Sequence, residues 1–277
     1  MHTLREHLYS LDFPTHPGYD RQRIQEVQRV VLDMGVQVCR ILERHGLPYF
    51  ITNGTLIGAA LYESFVPWDD DFDLFLFDDS YDEAMRVLAA ELPSHLIVHG
   101  INNDPLYFPA WNRIKNLQSM AWDSGLYNPD NRLLKYPCLS VDLYRIKKMP
   151  ADGVDLYKTT EALAFFDKKR RFGIIDDAQY QAQVAPLQQK RQALEAQPSD
   201  PAVGDVYMFM VMLKHALKPQ DIFPLKRYTL DGLSLWGPQS SDALLSSLYG
   251  PGYQTIPTYE QRNTRFSQVR WVSPTDH

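Results

Sequence analysis

The chain has 277 residues, 44% of them hydrophobic and 22% charged, which is ample material for a sizeable core. Its formal net charge of −6 argues against a general nucleic-acid binder, whose surface would be basic. Two cysteines, Cys39 and Cys138, supply neither a disulfide framework nor a metal-ligand spacing and point to a reducing, cytoplasmic setting.

The first twenty residues lack the apolar run of a secretion signal, and nothing approaches the roughly 18 apolar residues of a membrane span. Residues 21–45 place Ile24, Val27, Val31, Val38, Ile41 and Leu42 at helical spacing, with Asp20 as N-cap and Gly46 as the stop. "LPYFIT" (47–52) reads as a strand leading to Asn53-Gly54-Thr55, and the alternating "DFDLFLF" (71–77) as a second strand. Residues 80–92 read as a helix capped by Ser80; "HLIVH" (95–99) and "CLSVDLYRI" (138–146) read as further strands. This order predicts an α/β (α+β) fold, a mixed sheet flanked by helices. Beyond Pro150 the composition changes. Residues 154–197 read as helical with a break near Phe172-Gly173, and 219–260 as a loop-rich closing region. The expected organisation is a core over 1–150 and a helical, loop-rich extension over 151–277 that packs on it.

The stretch "PWDDDFD" (67–73) sets four aspartates against very apolar sequence. Residues two apart on a strand share a side, so Asp71 and Asp73 project together while Phe72 and Leu74 face the other way. Carboxylates that close repel unless a cation lies between them, and Mg²⁺ characteristically takes one or two carboxylates plus substrate phosphates. An EF-hand reading fails, because Leu74 falls where the loop needs glycine and Ser80 where it needs glutamate. Asp142, a lone acid in the apolar "SVDLY", is the best third carboxylate for two-metal phosphoryl chemistry. Gly54-Thr55, at a strand-to-helix turn, has the character of a phosphate cradle. Asp69 and Asp70 read as supports or caps of the acidic turn, with one of them as an alternative metal ligand. His95 and His99 lie on β-rich sequence without HExxH and read as exposed or strand-end residues, not zinc ligands. The basic "KKRRF" (168–172) reads as a solvated helix face, with an anionic membrane surface as its functional alternative.

Together, "NGTLIGAALYESFVPWDDDFDLFLF" (53–77), "WNRIKNLQS" (111–119), "VDLY" (141–144), "DIFPLKRYTLDGLSLWGP" (221–238) and "LYGPGYQTIP" (248–257) resemble the LicD family. That family includes bacterial phosphocholine transferases and fukutin-related protein, within the nucleotidyltransferase fold of the DNA polymerase beta superfamily. The resemblance implies transfer of a phosphate-linked group from a CDP-activated donor to a glycan or lipid-linked glycan hydroxyl, at the inner face of the membrane. Phosphocholine is the first expected cargo and a polyol phosphate the second. On this chain it implies Mg²⁺, or Mn²⁺, on Asp71, Asp73 and Asp142, with Asp142 alternatively accepting the acceptor's proton. Gly54 and Thr55 would contact donor phosphates, Arg113 and Lys115 would neutralise the diphosphate, and Arg262 would touch donor or acceptor. The chain departs from the family at Leu61-Tyr62-Glu63, where basic residues are usual. Two other readings remain at this stage: true nucleotidyl transfer to a small molecule or glycan, and a non-catalytic glycan- or nucleotide-binding module.

Overall fold

The computed structural model describes residues 2–105, 107, 109–123, 134–200, 202–209 and 212–272. A short helix α1 (His2–Ser10) leads to α2 (Arg21–Arg44), whose first turn is capped by Asp20, the carboxylate accepting from Arg23 N at 2.9 Å. After α2 come β1 (Tyr49–Ile51), α3 (Asn53–Ile57), which continues as one π-helical turn over Gly58–Tyr62, and β2 (Phe72–Phe77). Then follow α4 (Tyr81–Glu91), β3 (Leu96–His99), β4 (Asn112–Asn116), β5 (Ser119–Asp123) and β6 (Ser140–Pro150). The second half contains α5 (Val154–Arg171), α6 (Asp177–Glu195), β7 (Asp205–Met208), α7 (Pro219–Ile222), β8 (Lys226–Leu230), β9 (Leu233–Gly237), α8 (Ser241–Tyr249) and β10 (Phe266–Trp271).

The main sheet is mixed, as expected, in the order β1-β2-β6-β4-β3, with β7 also paired to β6. Among the described strands β2 and β6 are the parallel pair, and their register sets Asp73 beside Asp142. β6 is long enough to pair with β4 along Ser140–Leu143 and with β7 along Lys147–Pro150. The second half of the chain thereby supplies a strand to this sheet, and β10 pairs with β5 in a separate ribbon. No helix among the described residues is long and apolar enough to cross a membrane.

Every residue of β2 is buried, which explains why its hydrophobic run is nearly continuous. Helix α2 covers the Phe72 side so closely that a Cβ on Gly35 would stand 2.6 Å from the Phe72 ring. The opposite face is floored by aromatic rings. Phe75 packs on Phe50, Tyr144 and Phe209, and Trp111 on Tyr144 and Phe209, at centroid distances of 4.8–6.1 Å. Each such ring contributes about 1.5–3 kcal/mol by leaving water, and together they keep this side of the sheet dry up to Asp73.

The β8–β9 hairpin turns on Asp231-Gly232, both at positive φ (46° and 81°), the geometry of a two-residue primed turn. Its tip clasps the π-helical segment: Asp231 N donates to the Glu63 carbonyl, and Ser64 Oγ donates to the Asp231 carboxylate at 2.6 Å. Helices α5 and α6 break near Phe172, as their composition predicts, and pack mainly on each other. Ser80 corrects an expectation. Its hydroxyl donates backwards to the Phe77 carbonyl at 3.3 Å instead of capping α4, because a 3₁₀ turn over Asp78–Ser80 precedes that helix.

His99 ends β3 but is fully buried, edge-on to the rings of Tyr107 and Tyr136, with Nε2 2.8 Å from Asp104 Oδ2. Burial lowers its pKa to about 4, with the Lys115 and Arg113 cations acting in the same sense and Asp104 opposing them. Unfolded, His99 takes up its proton near pH 6.5; folded, it resists until about pH 4. Its contribution to stability is therefore complete above pH 6.5 and lost progressively between pH 6.5 and 4. Urea titrations at pH 7 and pH 5 are expected to show a smaller drop in His99→Gln than in the wild type. Equal drops would show that His99 carries none of the acid sensitivity.

Candidate active site

The site is built as a row across the sheet. Asp73 on β2 is the register partner of Asp142 on β6, Asp142 of Arg113 on β4, and Arg113 of His99 on β3. Register partners present their side chains on one face, so one transverse line reads acid, acid, base, imidazole. Asp71, two residues before Asp73, projects to the same side. One carboxylate oxygen each from Asp71, Asp73 and Asp142 lies within 4.8 Å of the others. The three residues singled out from the sequence are thus brought together.

Backbone contacts hold the acidic strand against the β1–α3 turn. Thr55 is fully buried, and its Oγ1 accepts from the Asp73 N–H at 3.0 Å, while Thr52 N donates to the Asp73 carbonyl at 3.1 Å. The hydroxyl expected at a phosphate therefore fixes the strand that carries the aspartates. Gly54 abuts Asp69: a Cβ there would stand 2.1 Å from Asp69 Oδ2. Alanine normally stabilises a helix relative to glycine by about 1 kcal/mol. Here it meets a buried carboxyl, and Gly54→Ala is expected to lose about 1–2 kcal/mol instead, the scale of overpacking. The sign of the change in urea midpoint decides; a gain would mean that Asp69 moves aside freely.

The remaining acids of the turn have distinct environments. Asp70 is buried and accepts three bonds, from Tyr19 Oη at 2.7 Å, Arg265 N at 2.8 Å and Phe266 N at 3.1 Å. Burial and the nearby Asp71 charge raise its pKa to about 7, against the pull of those three donors. Asp70 thereby ties the segment entering β10 to the acidic turn. Asp69 is raised by burial and by its neighbours Asp71, Asp73 and Asp70, and its Oδ2 is buried without a hydrogen-bond partner.

The bases come from β4 and from the entry to β10. Arg113 Nε donates to Asp142 Oδ1 at 2.6 Å, and Arg265 Nη1 donates both to Asp142 Oδ2 at 2.6 Å and to Asp71 Oδ2 at 2.8 Å. Burial alone would raise the Asp142 pKa, but these two guanidinium groups outweigh it and hold the carboxyl below the usual range. Among the described residues no arginine hydrogen-bonds to Asp73, although the nearby Arg265 charge favours its ionised form. Tyr144 Oη donates to Asp73 at 3.1 Å, and burial together with Asp71 and Asp142 raises its pKa well above normal. Lys115 is buried, donates to the Cys138 carbonyl at 2.9 Å, and is lowered to about 7 by burial and by Arg113 and Arg265.

Arg113, Lys115 and Arg265 line a cavity of about 240 Å³ that also presents Trp122, Tyr136 and one acid, Asp123. A polyanion with an attached ring would find charge and stacking surface there, directly beside the acids. Arg262 is placed elsewhere: its Nε and Nη1 donate to the carbonyls of Pro257 and Asp12, and its guanidinium stands 5.5 Å from the Trp68 ring centre. Arg265, three residues on, reaches the carboxylates. Sequence reasoning missed Arg265, Tyr144 and Tyr19; the alternating "FSQVRW" that follows Arg265 is the one local sign of a strand there.

The donor set fits a divalent cation. It offers three clustered carboxylates, hard oxygen ligands of the kind Mg²⁺ and Mn²⁺ take. The nearby Asp69 keeps a buried oxygen, Oδ2, against Gly54 without a hydrogen-bond partner.

Residues 46–103 match the LicD/FKTN/FKRP nucleotidyltransferase domain. The lipopolysaccharide cholinephosphotransferase LicD of Haemophilus influenzae is 35% identical over 72 residues, 26% of this chain and 27% of that protein. An uncharacterized protein of Rickettsia prowazekii is 25% identical over 123 residues, 38% of this chain and 45% of that protein. The chain thus spans between about a quarter and a half of these relatives' length. The matched domain contains Gly54, Thr55, Asp71 and Asp73; Arg113, Asp142 and Arg265 lie outside it and join the site through the fold.

Proposed function

We propose that this chain, whose residues 46–103 carry the LicD-family domain, is a phosphotransferase built on a nucleotidyltransferase-type core. In this reading it moves a phosphate-linked group from a CDP-activated donor to a hydroxyl of a cell-surface glycan or its lipid-linked precursor. Phosphocholine is the first candidate cargo, in keeping with the H. influenzae relative, and polyol phosphates follow. The observation that carries the reading is the convergence of Asp71, Asp73 and Asp142 beside a cavity walled by Arg113, Lys115 and Arg265. Acids alone would repel a diphosphate, and bases alone would bind it without activating it. The two side by side support in-line attack on the β-phosphate with CMP as leaving group.

Asp71, Asp73 and Asp142 would hold the divalent cation, which supplies charge stabilisation at the transferring phosphoryl group. The protein's own part is positioning and electrostatics. Arg113 and Lys115 face the donor's diphosphate, and Trp122 or Tyr136 offers a face for the base. The aromatic floor around Phe75 and Phe209 excludes water from beneath. Thr55 holds Asp73 in place through its backbone. The 1–150 core supplies the acids and two of the bases, and the 151–277 extension closes the cleft with Arg265.

The test is a screen of CDP-choline, CDP-ethanolamine, CDP-glycerol and CDP-ribitol for Mg²⁺-dependent CMP release with candidate glycans, using Asp73→Asn as control. Product mass separates the expected cargo from NMP transfer. Donor binding without turnover across the panel would refute the catalytic reading.

A further inference from the structure

Arg265 does more than lie near the acids. One nitrogen, Nη1, bridges two of the three candidate ligands, 2.8 Å from Asp71 Oδ2 and 2.6 Å from Asp142 Oδ2. The side chain is buried, so the guanidinium is largely withdrawn from water and depends on those carboxylates. It is also delivered deliberately: Asp70, itself anchored by Tyr19, grips the backbone N–H of both Arg265 and Phe266. Beyond Phe266 the chain is secured by pairing of β10 with β5. The backbone at 265 is thus fixed at one end of a long side chain whose charged end lies in the carboxylate cluster and in the cavity wall at once.

A dication needs those carboxylates, and a guanidinium on the same oxygens both occupies lone pairs and repels it. The geometry points to Arg265 as an internal counter-ion that competes with the divalent cation for Asp71 and Asp142. On cation binding it gives up the bridge and turns its guanidinium to the Arg113–Lys115 wall, where it meets the donor's phosphates. Arg265 on this view serves the acids first and the donor second. It keeps the acids from repelling one another until the cation arrives, then adds its charge to the anion side of the cleft. The inference rests on the divalent-cation reading of the same carboxylates.

The experiment measures Mn²⁺ binding by calorimetry and melting temperature with and without Mn²⁺, in wild type and Arg265→Gln. Competition predicts at least tenfold tighter Mn²⁺ binding in the variant. It also predicts a lower melting temperature than wild type without Mn²⁺, and convergence of the two at saturating Mn²⁺. An affinity change below twofold, or a melting gap that persists at saturation, overturns the exchange while leaving the cation reading standing. Absence of Mn²⁺ binding in both proteins overturns both. Should Arg265→Gln fail to fold, phenylglyoxal labelling of wild-type Arg265, read by mass spectrometry, decides the matter. Faster labelling with Mn²⁺ supports release of the bridge, and an unchanged rate overturns it.

Discussion

Asp142→Asn is expected to lower the unfolding free energy by about 3–5 kcal/mol at neutral pH, the cost of removing one partner from a buried ion pair. The size follows from what Asp142 holds. Both of its oxygens are engaged, by Arg113 Nε and Arg265 Nη1, each at 2.6 Å, and both arginines are buried. An asparagine keeps the volume and one acceptor but leaves two buried guanidinium groups short of charge. Arg265 retains Asp71, whereas Arg113 loses the anion beside it in the strand register. Urea unfolding followed by circular dichroism measures the effect. A loss below about 1 kcal/mol, the scale of an exposed pair, would show that the arginines do not depend on this carboxylate.

Asp73→Asn is expected to do the reverse: to leave stability without added divalent cation unchanged or slightly improved, while cutting turnover by about 10²–10³-fold, the loss seen when one preorganised electrostatic contact is removed. Asp73 is buried among carboxylates with the Tyr144 hydroxyl donating to it. Its charge is a burden to the fold, and the amide removes the burden while keeping an acceptor for Tyr144. The same change removes a ligand from the proposed cation site. Turnover assays paired with urea midpoints separate the two effects. Full activity would take Asp73 out of the mechanism, and a large stability loss would mean that its carboxylate has a structural partner after all. Neighbours in one cluster are thus expected to respond with opposite signs, because two arginines hydrogen-bond to Asp142 whereas Asp73 accepts from the Tyr144 hydroxyl.

The same contrast explains what could be read from the sequence. Asp71 and Asp73 were legible because strand periodicity puts them on one side whatever surrounds them, and Asp142 because a lone acid in an apolar strand calls for a reason. The mixed sheet with flanking helices followed from local patterns that the fold respects, such as the Asp20 cap and the break near Phe172. Arg265 was not legible. It lies 123 residues from Asp142 and 194 from Asp71, and nothing local marks it apart from the neighbouring Arg262. Asp70 was visible as an acid of the turn, but its task of holding residues 265 and 266 depends on long-range pairing. Ser80 misled because a 3₁₀ turn over Asp78–Ser80 leads into the helix and its hydroxyl accepts no bond from the first helical turn.

The grip of Asp70 on residues 265 and 266 also sets an order of events during biosynthesis. Asp71 leaves the ribosome long before Arg265, which bridges it to Asp142, so a nascent chain carries an acidic patch without that counter-ion through most of translation. That patch can close only after the segment entering the last strand has emerged and found Asp70. Completion of the carboxylate cluster is thereby coupled to synthesis of residues 265–271: a chain arrested upstream of them would lack the Arg265 bridge between Asp71 and Asp142.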